Sequence, residues 1–240
     1  MPKVVSLVPS LSEAVAVSAP GMLVGATDWC SEPAGLYVTR VRGTKNPDLE
    51  AITGLEPDLV LANEEENRPS DIAALRDAGI RVLVTEVRSL PQALAELERV
   101  LVAGCGLPRP GWLDDAEAAW RDLGTDSCWA TAVVPVWRRP WMVLGSDTFA
   151  GDLLHRLGVR NAWAGHPERY PRLPLAELNR PGRADLVVLP DEPYAFSADD
   201  GPEAFGDLPC ALVSGRYLTW YGPSLVRAPA VLADALAAAR

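Results

Sequence analysis

The stretch Ser89–Asp122 constrains this chain more than any other part of it. Leu90, Leu94, Leu97 and Leu101 recur at steps of four, three and four, which sets them on one face of a helix. Leu113, Ala116, Trp120 and Leu123 repeat the pattern further on. Pro91 falls in the first turn, where a missing N–H is tolerated. Gly104, Gly106, Pro108, Pro110 and Gly111 lie between the halves and should stop or kink the helix. Two readings follow from periodicity alone: a helical spine joining two lobes, or a surface helix of one α/β domain.

Before this stretch, Val4–Val8 reads as a buried strand, and Ser10 opens a helix to about Ser18. Leu23–Ala26 is the next strand. Asn46-Pro47-Asp48 caps a helix that runs to Leu55. Asp58–Ala62 is a strand, Ser70–Ala78 a helix ended by Gly79, and Ile80–Val84 a strand. After the stretch come strands at Ala130–Val136 and Trp141–Leu144, then a helix at Thr148–Leu157 ended by Gly158. Strands at Ala184–Leu189 and Ala211–Ser214 and a helix at Ser224–Ala239 complete the chain. Both halves contain a short helix that leads to Asp-Leu-Val (Asp58, Asp185) and then to a strand ending in acidic residues. That echo favours a duplicated lobe. The predicted fold is α/β, with two Rossmann-like lobes built on parallel sheets. The predicted boundaries are residues 1–88 for the N-terminal lobe, 89–123 for a linking backbone helix kinked near 104–111, and 124–240 for the C-terminal lobe.

The net charge of −10 weighs against nucleic acid or an anionic membrane surface as partner. Four cysteines, Cys30, Cys105, Cys128 and Cys210, show no CxxC or Cys/His spacing of a structural metal site. Met1-Pro2-Lys3 leads straight into Val4–Val8, without a basic leader, a long apolar segment or a lipoprotein cysteine. No apolar run is long enough to span a membrane. The expectation is a cytoplasmic monomer with no membrane insertion, or a periplasmic or extracellular one if a leader has been removed.

Ligands of open parallel sheets bind beyond the carboxyl ends of the strands. Those ends supply Ser10, Asp28, Trp29, Cys30, Asn63, Glu64, Glu65, Asn67, Arg68, Trp137, Arg138, Tyr194, Arg216, Trp220 and Tyr221 as candidate binding residues. The aromatic residues suit a large, flat ligand; the alternative is packing within a lobe. The acidic and amide side chains could hydrogen-bond ligand polar groups, or line a solvated loop. Arg138 and Arg216 could meet carboxylates. Cys30 and His166 are candidate metal ligands, against a small buried thiol and a loop residue. A thiol-dependent enzyme using Cys30, His166 and an aspartate is a third reading. No nucleophile elbow, phosphate loop or dinucleotide motif supports it, and Gly104-Cys105-Gly106 lacks a third glycine and a preceding strand. No catalytic residue and no catalytic cofactor is therefore predicted.

Val5–Glu13, Gly43–Ile52, Leu55–Ala62 and Gly151–Gly158 resemble, in order, the helical-backbone (class III) periplasmic-binding-protein-like family. These are the cobalamin, ferric-siderophore and haem substrate-binding proteins of ABC importers. The resemblance covers Val4 to about Ala239. It implies two α/β lobes, a rigid helix between them and one ligand clamped in the cleft. Thr27–Cys30 and Leu218–Ser224 resemble a subgroup labelled as cobalamin-binding or helical-backbone metal receptors. Cobalamin or a related corrinoid leads as implied ligand, followed by ferric siderophore and haem. An ABC permease is an implied partner, which family members dock with a glutamate on each lobe. Those positions fall near Pro69-Ser70 and Gly222, and neither match is acidic. A cytosolic carrier or sensor with this fold and no permease docking is the alternative role.

Overall fold

A computed structural model describes residues 1–124, 127–206 and 208–239. The chain divides into two compact units. Unit 1 comprises Met1–Glu86, Gln92–Asp115 and Tyr221–Pro223; unit 2 comprises Val87–Pro91, Ala116–Trp220 and Ser224–Arg240.

Unit 1 is built on β1 (Val4–Ser6), α1 (Pro9–Ser18), β2 (Leu23–Ala26), β3 (Thr39–Arg40), the small hairpin β4 (Arg42–Gly43) and β5 (Asn46–Pro47), α2 (Leu49–Gly54), β6 (Leu59–Asn63), α3 (Pro69–Asp77) and β7 (Val82–Thr85). Its five-stranded sheet has the order β3-β2-β1-β6-β7, with all neighbours parallel. The chain winds outward from β1 through β3, then returns to place β6 on the other flank of β1. That reversal puts a topological switch at the carboxyl ends of β1 and β6. β1 and β6 are buried along their whole length, as helices on both faces of a parallel sheet require. Val5, Leu7, Val41, Ile52, Val60 and Leu75 form one core cluster. Gly79 closes α3 at φ +79°, a conformation that favours a residue without a Cβ.

The helical stretch in the middle of the chain is interrupted where its glycines and prolines stand. α4 (Leu90–Glu98) runs into a π-helical segment at Arg99–Gly104, in which Cys105 N–H reaches back five residues to the Val100 carbonyl at 2.8 Å. Residues 105–110 are not helical, and α5 (Gly111–Trp120) follows. Leu90, Ala93, Leu97, Val100 and Leu101 are the buried face, with Leu94 at its half-buried margin.

Unit 2 contains β8 (Ala130–Val133), β9 (Pro135–Trp137), β10 (Met142–Val143), α6 (Phe149–Arg156), β11 (Val159–Asn161), α7 (Leu175–Leu178), β12 (Leu186–Pro190), β13 (Cys210–Val213), α8 (Gly215–Thr219) and α9 (Ala228–Ala237). Its four-stranded sheet has the order β11-β8-β12-β13 and is also parallel throughout. The same reversal occurs between β8 and β12. The core packs Val133, Val143, Trp163, Leu178, Val187, Leu189, Phe196 and Phe205. The expected strand Ala130–Val136 is two strands. Pro135 has no N–H to continue a ladder, and β9 leaves the sheet to pair antiparallel with β10. The expected terminal helix starts late, at Ala228, after a 3-10 turn at Pro223–Val226. Gly215–Thr219, which follows β13 and carries the candidate Arg216, is helical. The two-unit, parallel-sheet α/β class matches the sequence reading.

The repeated Asp-Leu-Val phrase has one structural use in both units. Asp58 accepts from the Lys3 backbone N–H at 2.7 Å and returns its own N–H to the Lys3 carbonyl at 2.9 Å. Asp185 does the same with Thr131, at 2.7 Å for both bonds. Each aspartate thus brackets the strand beside its own and fixes the register of the pair that forms the switch. Asp58→Ala and Asp185→Ala are each expected to lower unfolding free energy by about 1–2 kcal/mol. Asp234→Ala, on exposed α9 surface, should stay within about 0.5 kcal/mol. Denaturant unfolding of the three variants measures this, and equal effects from all three would contradict it.

Candidate functional site

In unit 1 the carboxyl ends of β2 and β6 carry most of the candidate residues. After β2 the chain turns at Thr27–Cys30. The Arg40 guanidinium donates to the carbonyls of Thr27 and Cys30, both at 2.9 Å, and clamps the turn. The Cys30 thiol is fully buried, 3.0 Å from Ser12 Oγ and 3.2 Å from Thr27 Oγ1. Burial raises its pKa, against the opposing effect of those hydroxyls. It therefore packs as a small neutral side chain, not as an exposed thiolate. With Cys30 anchored inward, its neighbours project outward: Asp28 is exposed, and the Trp29 indole is 68% exposed.

After β6, Asn63 closes a buried polar network. Its Nδ2 donates to the Tyr221 hydroxyl at 3.0 Å and to Thr85 Oγ1 and the Thr85 carbonyl, each at 3.2 Å. Its Oδ1 accepts from the Glu65 and Glu66 N–H groups at 2.9 and 3.3 Å. Asn67 Oδ1 accepts from Asn63 N–H at 2.8 Å, and Asn67 Nδ2 donates to the Thr44 carbonyl at 3.0 Å. The loop that bears Glu64, Glu65 and Arg68 is therefore held by two buried amides. Glu64 and Arg68 are exposed, and Glu65 is half-buried. Ser10 is buried and hydrogen-bonds Tyr221. Burial, with Glu66 nearby, pushes the Tyr221 phenol above its ordinary range, so it stays protonated.

In unit 2, Trp137 is 43% exposed and meets the Tyr194 ring edge-on at 5.7 Å. The Tyr194 hydroxyl donates to Asp200 Oδ2 at 2.6 Å. That bond, with Arg138 beside it, holds the Asp200 carboxyl below its usual range. Arg138 is ion-paired to both Asp200 and Glu203 and lies over the Trp141 ring. Its charge is engaged within the unit. Trp220 is buried and donates from Nε1 to Glu192 Oε2 at 3.0 Å, while Arg216 lies over the Tyr217 and Trp220 rings. His166 is half-buried, and its Nδ1 accepts from Glu168 N–H at 3.0 Å. In the neutral ring that leaves the proton on Nε2. No group of three or more His, Cys, Asp and Glu side chains suited to a metal ion occurs among the described residues.

Sequence reasoning missed Arg40, Thr85 and Ser12, which brace the rim: Ser12 and Thr85 from within the core, Arg40 from the surface. Thr85 had a local signal, a polar residue at the carboxyl end of an apolar strand. Arg40 had none, because the carbonyls it holds lie 10 and 13 residues away.

Glu66, half-buried beside Asn63, has its pKa raised to about 7, first by burial and then by Glu65, with Lys45 opposing. The unfolded chain titrates this group near 4.5. Between these values the folded state binds more protons, so stability from this group is present at low pH and falls as pH rises through 7. Glu66→Gln should therefore stabilise the protein relative to wild type above pH 7, and the difference should shrink toward pH 4.5. Denaturant unfolding across that range tests it; a pH-independent difference would contradict it.

No family model matches the chain. An ABC transporter substrate-binding lipoprotein of Bacillus subtilis strain 168, YvrC, is 28% identical over 174 residues, 68% of this chain and 55% of that protein. The match thus spans about half the length of that relative. The periplasmic vitamin B12-binding protein BtuF of Vibrio cholerae superposes with a TM-score of 0.78 at 18% identity, covering 99% of this chain and 97% of that one. The periplasmic heme-binding protein RhuT of Roseiflexus sp. RS-1 gives 0.74 at 22% identity, with 98% of both chains covered. Two α/β units on parallel sheets, matched over nearly the whole chain by these structures, give this chain the fold of those periplasmic binding proteins.

Proposed function

We propose that this protein is the substrate-binding component of an ABC importer and that its ligand is cobalamin or a related corrinoid. The carboxyl-end rim of unit 1 carries this reading: an exposed Trp29 indole next to a loop fixed by buried amides. A flat macrocycle gains contact area from such an indole without the cost of ordering the loop. Charge selects among the macrocycles. The loops 27–30 and 63–68 carry Asp28, Glu64 and Glu65, with Glu66 partly protonated near pH 7, against Arg68, while Arg40 and Lys45 donate to the carbonyls of Thr27, Cys30 and Glu65. In unit 2 Arg138 is already paired with two acids. Haem brings propionates, and anionic ferric siderophores bring net negative charge, so both meet like charge here. The amide-fringed corrin does not. The similarity to the Bacillus subtilis lipoprotein supports the importer role; BtuF and RhuT are similar to a comparable degree and bind different macrocycles, so the choice of a corrinoid rests on the charge of these loops. Importer components of this kind work outside the cytoplasm, which is the proposed location. Among the described residues no helix is long and apolar enough to cross a membrane.

Gly222 favours a second role for the same ligand site, that of a carrier that does not dock. It is buried, and a Cβ there would lie 3.0 Å from the Ser10 carbonyl oxygen. A carboxylate-bearing side chain at that position would crowd the Ser10 carbonyl.

Titration of the protein with cobalamin, haem and a ferric siderophore tests the ligand. Tryptophan emission, corrected for absorbance, should fall to a plateau with cobalamin at the lowest concentration of the three. Trp29→Ala should lose most of that quench and weaken binding by about ten-fold. Tighter binding of haem or the siderophore, or a flat response to cobalamin, would overturn the assignment.

A further inference from the structure

Unit 2 carries a polar hollow of about 560 Å³ that none of the carboxyl-end candidates lines. Its walls include Thr131, Arg160, Asn161, Arg183 and Asp185. Thr131 is the second residue of β8, and Asp185 immediately precedes β12. The hollow therefore sits at the amino ends of β8 and β12 and extends past the end of the short edge strand β11, through Ala162, Ala164 and Gly165.

Its two cations are held by neutral groups of the unit. Arg160 lies beside Thr131 in the β11–β8 register and donates to Thr131 Oγ1 at 3.1 Å. The Arg183 guanidinium lies over the Trp163 ring, 4.7 Å from its centroid. Among the described residues, neither arginine has a carboxylate within ion-pair distance, although ion pairs are formed elsewhere in the chain. Asp185 is the acid in the lining, and its Oδ2 accepts from Thr131 N–H. In a chain of net charge −10, two positioned guanidinium groups with no ion-pair partner among the described residues form a local positive site on one concave surface.

We propose that this hollow binds a small phosphate-bearing molecule, with Arg160 and Arg183 donating to its phosphate oxygens. Planar guanidinium forks match phosphate oxygens in pairs, and side chains already restrained lose little freedom on binding. The volume falls in the range of small-molecule sites and exceeds what a bare phosphate needs. The site is independent of the corrinoid reading.

Calorimetric titration of the full chain with inorganic pyrophosphate, at fixed ionic strength, is the test. A saturable one-site isotherm is expected. R160Q and R183Q should each weaken it about ten-fold, and the double variant should abolish it. Both side chains are exposed, so thermal unfolding should be unchanged. R183K, which keeps the charge and loses the fork, should bind between wild type and R183Q. No saturable heat, equal heats from a chloride titration, or binding unaltered in the double variant would overturn the proposal.

Discussion

One carboxylate in each unit sets the frame for everything at the rim. Asp58 and Asp185 each stand just before a central strand and grip the backbone of the strand alongside. Parallel strands have no tight hairpin to fix their register, so a side chain that bonds across the pair at its amino end does that work. From this bracket the strands run buried for five residues in β6 and β12. They emerge on the far side as polar or acidic sequence: Asn63-Glu64 in one unit, Asp191-Glu192 in the other. The position of the rim is thus decided at the opposite end of the sheet.

The rim of unit 1 is held by side chains bonded within the unit. Arg40 holds the turn after β2 by its carbonyls, and Cys30 fills the space beneath it. That leaves Trp29 no place inside. Across the switch, Asn63 and Asn67 satisfy the backbone of their own loop and hold Tyr221 and Thr85 with it. A buried polar network of this kind is stable only when its members are paired. The result is a loop whose acids, exposed at Glu64 and half-buried at Glu65 and Glu66, start from fixed positions.

Much of the architecture was legible because it is local. Helix periodicity, the glycines that end α3 and α6, and the proline-rich break before α5 all act within a few residues, and each fell where the sequence put it. The Asp-Leu-Val echo was visible as wording, but its use as a register bracket was not, because its partners, Lys3 and Thr131, lie 55 and 54 residues away. The same distance effect hid the state of the rim arginine. Arg138 reads as a free carboxylate binder until Asp200, 62 residues on, is brought against it. Trp220 and Tyr221 read as cleft aromatics, yet both are buried with their polar atoms bonded. Composition cannot tell an aromatic that meets a ligand from one that braces a loop. Pro135 is a local signal of the opposite kind, a residue without an N–H that splits the expected strand.

Hydrogen–deuterium exchange with and without cobalamin is the most direct test that the carboxyl-end rim is the binding surface. Amides of residues 27–31 and 63–68 should exchange more slowly in the presence of cobalamin, while those beside Asp58 and Asp185 at the amino ends should not change. Protection confined to the amino ends, or spread evenly over both edges of the sheets, would contradict the account.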